Sequence, residues 1–213
     1  MVSVRAALLG IGLILGTVPG LRAASLLSEA EVAEQEKGFD AAQHATLSFR
    51  ARIQQKLTLN GVDQPIVSTG ELFYQAPDRL LIRFSDPAGE WMRIEGNQLD
   101  VKKAGHEPFH RDLSQGGSNA TTLLDFFTGD SARWHRDFTV SMRRSADSLF
   151  VSLTPLRRSE GAPQASGILT ALQLPDYEVK WIMVSLNDGN TLNFRFLDGH
   201  RNAHIDPQLF QTP

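Results

Sequence analysis

The sequence predicts an α+β domain that is mainly β, a long antiparallel sheet partly covered by two helices. Three observations carry this. Apolar and polar residues alternate with a period of two over most of the chain. Gly, Pro, Asn and Asp punctuate the alternation every ~8–12 residues, the spacing of strands joined by short turns. The alternation breaks at two places: a charged, helix-favouring stretch near the start, and the compact apolar cluster Leu123, Leu124, Phe126 and Phe127 in the middle.

The elements follow in order. Ser28 to His44 reads as a helix, with Ser28 able to cap it and Glu29 and Glu31 suited to the positive end of its dipole. Its apolar residues Leu27, Ala30, Val32, Ala33 and Phe39 form a thin stripe, so the helix lies over something else. Leu47, Phe49, Ala51, Ile53, Leu57 and Leu59 then alternate with polar residues as a long half-buried strand that ends at the turn Asn60-Gly61. Strands follow at Ile66–Tyr74, Leu80–Ser85, Trp91–Glu95, Gln98–Lys103 and Phe109–Leu113. The loop 115–119 leads into a short apolar helix, Ala120 to Thr128, continued to Trp134. Strands resume at Phe138–Arg143 and Leu149–Leu153. A polar loop, Arg157 to Ser166, precedes the last strands, Ile168–Leu174, Val179–Leu186 and Thr191–Leu197. Asp188-Gly189 turns the final hairpin.

The first 23 residues read as a secretory leader, with 24–213 as a single domain. Arg5 supplies the positive start, Ala6 to Val18 the apolar run, and Leu21-Arg22-Ala23 a small residue before the cut; cleavage is expected after Ala23, with Ala24 the alternative. The run is ~13 residues, short of the ~20 that a membrane span needs. The chain has no cysteine, so it carries no disulfide, no thiolate nucleophile and no thiol for lipid attachment. Removing the leader takes the formal charge from −3 to −5, which argues against nucleic acid as a partner. An unanchored, exported chain is expected in the periplasm.

Motifs for chemistry are missing. His106 and His110 are four apart, as are His200 and His204, but Gly105, Pro108, Gly199 and Asn202 deny them the helix that would bring such pairs together. There is no His-Glu-x-x-His, no Gly-x-Ser-x-Gly and no glycine-rich phosphate loop. The expectation is a protein that is not an enzyme, with no catalytic residues, metal or cofactor. The informative residues are apolar. Phe49, Ile53, Leu72, Tyr74, Leu80, Ile82, Phe84, Met92 and Ile94 fall on the apolar face of successive strands, and a curved sheet with only partial covers can leave a hollow there.

Three segments resemble the family of LolA, the periplasmic carrier of outer-membrane lipoproteins. Residues 48–55, Ser-Phe-Arg-Ala-Arg-Ile-Gln-Gln, are similar to the family's aromatic-x-Ala-x-Phe-x-Gln strand. Residues 70–80, Gly-Glu-Leu-Phe-Tyr-Gln-Ala-Pro-Asp-Arg-Leu, are similar to its Gly-x-Leu followed by Pro-Asx. Residues 92–99, Met-Arg-Ile-Glu-Gly-Asn-Gln-Leu, resemble its Asp-Gly hairpin. The resemblance implies an unclosed antiparallel β-barrel with a helical lid over a hydrophobic cavity. The nine apolar residues above would line the cavity, and Leu123, Leu124, Phe126 and Phe127 would form the lid. It further implies a monomer that holds the acyl chains of lipoproteins, taking them from an inner-membrane donor complex to an outer-membrane acceptor. Ala76 stands where the family commonly has an Arg that ties sheet to lid. That departure points to a divergent carrier, with another lipid or acylated product as alternative cargo; a non-catalytic envelope adaptor is the reading without a cavity. On the carrier reading, Ile82→Glu or Phe84→Glu should abolish cargo binding with the fold intact.

Overall fold

The structure, a computed structural model, describes residues 23–113, 119–156 and 165–211. The expected leader lies outside the described residues except for Ala23, as do most of the loops expected at 115–119 and 157–166. The elements run β1 (Ser25–Leu26), α1 (Glu29–His44), β2 (Ser48–Thr58), β3 (Ile66–Gln75), β4 (Arg79–Asp86), β5 (Trp91–Glu95), β6 (Gln98–Lys102) and β7 (Phe109–Asp112). They continue with α2 (Asn119–Thr128), α3 (Ser131–Asp137), β8 (Phe138–Arg144), β9 (Ser148–Pro155), β10 (Ala165–Gln173), β11 (Glu178–Leu186) and β12 (Thr191–Arg201).

Local chemistry explains the boundaries. Ser28 and Glu31 close a capping box at the start of α1: the Glu31 carboxylate accepts from the Ser28 N–H at 2.8 Å, and the Ser28 hydroxyl accepts from the Glu31 N–H at 3.4 Å. The apolar helix expected to run to Trp134 is instead two helices. Gly129, at φ +73°, ends α2 in a left-handed residue, and its Cα sits where a Cβ would meet Gln43 Cβ at 2.7 Å and the Asp40 carbonyl at 3.0 Å. The elbow is therefore pressed against α1.

All strands among the described residues belong to one antiparallel sheet of twelve, in the order β1-β8-β9-β10-β11-β12-β2-β3-β4-β5-β6-β7. The sheet is two meanders, β2–β7 and β8–β12, joined where β12 pairs with β2 (Phe196 opposite Ile53, Leu192 opposite Leu57). Its end strands, β1 and β7, do not pair with one another, so the barrel is unclosed. Residues from β8 round to β6, among them Met142, Val151, Ile182, Phe194, Ile53, Leu72, Ile94 and Leu99, share one core cluster with α1, α2 and α3. A sheet whose distant strands meet the same helices must curl around them. The fold is thus mainly β with three helices against the inner face.

The outer face is covered in places. Ile205 and Phe210, the latter in a 3-10 turn at Pro207–Phe210, pack on Phe73, Leu81 and Trp91. Arg93 holds that turn by donating to the Phe210 carbonyl at 2.6 Å while pairing with Asp100 at 2.5 Å.

Candidate binding site

The nine residues expected to line a cavity all face the inner side of the sheet. Seven of them (Phe49, Ile53, Leu72, Tyr74, Leu80, Ile82 and Ile94) are buried in the shared core; Phe84 and Met92 are half-buried against it. Strand pairing sets them in rows: Phe49, Tyr74, Leu80 and Ile94 form one, Leu72, Ile82 and Met92 the next. The four residues expected in the lid are also buried in this core. Ile82, at 1% exposure, is fully enclosed, so a glutamate there would unfold the protein rather than report on binding. Phe84 is the position that can carry that test.

Lid and sheet meet through Phe127. Its ring centre lies 5.7 Å from those of Phe49, Tyr74 and Phe196, the last edge-on. A second aromatic group sits behind it: Trp134 of α3 is 5.2 Å from Phe126 and 5.0 Å from Phe39 of α1. Tyr74 is desolvated here, and burial first, then the Asp78 charge, pushes its phenol up to about 12. Phe39, Trp134, Phe194 and Phe196 belong to this aromatic lining, and sequence reasoning missed them as site residues. Phe194 and Phe196 follow the same alternation as β2 and were within its reach; Phe39 and Trp134 needed the three-helix packing to be known.

The inner face is not equally covered along its length. At the α1 end it is sealed around Phe49, Tyr74, Leu149, Leu172 and Val179. At the opposite end, the apolar residues Leu57, Phe84, Met92, Leu186 and Leu192 are only half-buried, and Ile66, opposite Leu57, is exposed. The inner face therefore has a closed, aromatic end and a partly open apolar mouth.

Polar contacts tie the lid helices to α1. Asp40 accepts from the Ser131 N–H at 3.0 Å and from its hydroxyl at 2.7 Å, and His135 meets Glu36 at 2.7 Å. Ala76 takes no part; it packs half-buried against the core, and its N–H donates to the Leu47 carbonyl. Arg79 pairs with Glu95 on the neighbouring strand at 2.7 Å.

Asp125 is a carboxylate set among the lid's apolar residues. Arg133 lies 3.1 Å from its Oδ1, yet that oxygen accepts no properly aligned hydrogen bond. Burial outweighs the Arg133 charge and pushes the carboxyl up to about 6. A folded-state value above the unfolded one means that the folded protein binds the proton more readily. Stability should then rise as pH falls from about 6 towards 4, and the charged carboxylate costs stability above 6. Asp125→Asn is expected to stabilise the protein at pH 8 by on the order of 2 kcal/mol and to flatten this part of the pH profile, as read by urea unfolding.

Among the described residues, no group of three or more His, Asp or Glu could hold a metal ion, and no helix is long and apolar enough to cross a membrane. No protein-family profile matches the chain, and no curated protein matches it in sequence. Solved structures do match. MucB is 14% identical over 87% of this chain and 64% of its own, with a TM-score of 0.50. An uncharacterized conserved protein from Thermus thermophilus is 8% identical over 86% of this chain and 94% of its own, also at 0.50. A LolA superfamily protein from Nitrosomonas europaea is 11% identical over 84% and 96%, at 0.45. At such identities the likeness is one of fold. The fold shared with MucB and the Thermus protein is an antiparallel barrel left open and wrapped around helices.

Proposed function

We propose that the protein is a periplasmic carrier that takes up acyl chains on the inner face of its sheet and hands them on between membranes. One observation carries this reading: a largely apolar face whose closed end is filled by the chain's own Phe127 and whose other end opens through half-buried Leu57, Phe84, Met92 and Leu192. A filled structural core has no reason to leave one end of its apolar lane uncovered. An acyl chain gains about 0.8 kcal/mol for each CH₂ it buries. Part of that gain is spent on moving the lid, which leaves release within reach. The cavity lining is Phe49, Ile53, Leu72, Tyr74, Leu80, Ile82, Phe84, Met92 and Ile94, and the lid is Leu123, Leu124, Phe126 and Phe127. Export would be by the leader 1–23, the cargo an acylated lipoprotein or another lipid, the donor an inner-membrane complex and the acceptor an outer-membrane one. No catalytic step is part of this activity.

The test is native mass spectrometry of the exported protein purified without detergent, which should show co-purified acyl species. Phe84→Glu should lose them while its thermal unfolding stays close to wild type, because the mouth leaves the carboxylate access to water. Wild-type protein that holds no lipid and takes up no acyl probe would overturn the carrier and favour an adaptor.

A further inference from the structure

Two polar residues lie side by side on the otherwise largely apolar inner face, near its mouth. Gln55 of β2 stands opposite Ser68 of β3, one step inside the mouth, between the rows of Ile53 with Gly70 and Leu57 with Ile66. On its other side, Gln55 faces Phe194, which in turn faces Ile182. Ser68 is 6% exposed, and Gln55 is half-buried. Neither side chain has a hydrogen-bond partner among the described residues.

Two other buried hydroxyls of the sheet are satisfied, whereas that of Thr128 in α2 is not. Thr170, in the same row of the sheet as Gln55 and fully buried, donates to the Trp181 carbonyl at 2.7 Å; Ser48 donates to the Ala203 carbonyl at 2.6 Å. The polar atoms of Gln55 and Ser68 have no protein partner among the described residues and are not fully enclosed, so they remain accessible to a ligand. The pair Gln55 and Ser68 thus has donors to offer a ligand: two N–H from the amide and one O–H.

Building on the carrier reading above, we propose that Gln55 and Ser68 bind the carbonyl of the ester or amide linkage that joins an acyl chain to its headgroup. The chain then runs inward past Ile53 and Phe84 toward the seat of Phe127, and the headgroup remains at the mouth. The ligand class is a carbonyl-linked amphiphile rather than any hydrocarbon.

Two lipids matched in chain length test this: 1-myristoylglycerol, with an ester carbonyl, and 1-O-tetradecylglycerol, its ether counterpart. Each is titrated as a monomer against a bound fluorescent probe. Wild type should prefer the ester by about 10-fold, as two neutral hydrogen bonds would give. Gln55→Leu with Ser68→Ala should abolish the preference and leave ether affinity unchanged. Equal affinity of wild type for both lipids would overturn the proposal and leave the carrier standing; so would a preference that survives in the double variant. Binding of neither lipid would overturn both. The wild-type comparison needs no variant to fold.

Discussion

Replacing Phe127 with Ala is expected to destabilise the protein by about 3 kcal/mol and, at the same time, to raise its affinity for an acyl probe. The first effect is ordinary: the ring is 2% exposed and touches three aromatic neighbours. The second follows from what those neighbours are. Phe49 and Tyr74 belong to the proposed cargo lining, so in the empty protein Phe127 occupies the place of cargo. An acyl chain must compete with it, and removing the competitor strengthens binding by up to the same free energy. Urea unfolding measures the loss and a fluorescence titration the gain. A variant that loses stability and affinity together would mean that Phe127 supports the site instead of filling it.

Gly70→Ala should be the most damaging single methyl in the sheet. Gly70 lies at a register shift between β3 and β4, and a Cβ there would sit 2.0 Å from the Arg83 carbonyl oxygen and 2.8 Å from Phe84 Cα. Both are backbone atoms and cannot rotate away. The strands must part, at a cost on the order of 4 kcal/mol, which lowers Tm by about 10 °C in a domain of this size. Circular dichroism melting checks it. Gly61 is the control: its φ of +77° gives a left-handed strain of about 1 kcal/mol on substitution, but nothing lies within 4 Å of its missing Cβ.

Much of the sheet was legible because a half-buried strand must alternate, as β2 does over most of its length. Legibility failed where a strand is covered on both faces. Phe73 and Leu81 interrupt the alternation beside Tyr74 and Leu80 because the segment Ile205–Phe210 packs on the outer side. No local pattern announces that cover, since it is made of residues more than 120 positions away. The strand β1, two residues long, has no period to read. β12 extends to Arg201, past the expected end at Leu197, across an irregularity between Leu197 and His200 that takes it out of register. At the proposed site, the apolar members were visible as alternation and the lid as a cluster. Gln55 and Ser68 were not, because a polar residue on an apolar face looks like noise until pairing sets it opposite another.

The seam between β12 and β2 governs the order in which this protein can be made. A chain that emerges N-terminus first, from a ribosome or a translocation pore, delivers β2 to β7 early as a hairpin ladder. Its inner surface then has only α1 to cover it. The partner of β2 on its other side arrives about 140 residues later, followed by the segment that seals Phe73 and Leu81. The two half-sheets cannot be stitched together before nearly all of the polypeptide is out, and pairings so distant in sequence form slowly. Joining of the two half-sheets is therefore a late event that waits for the C-terminal strand.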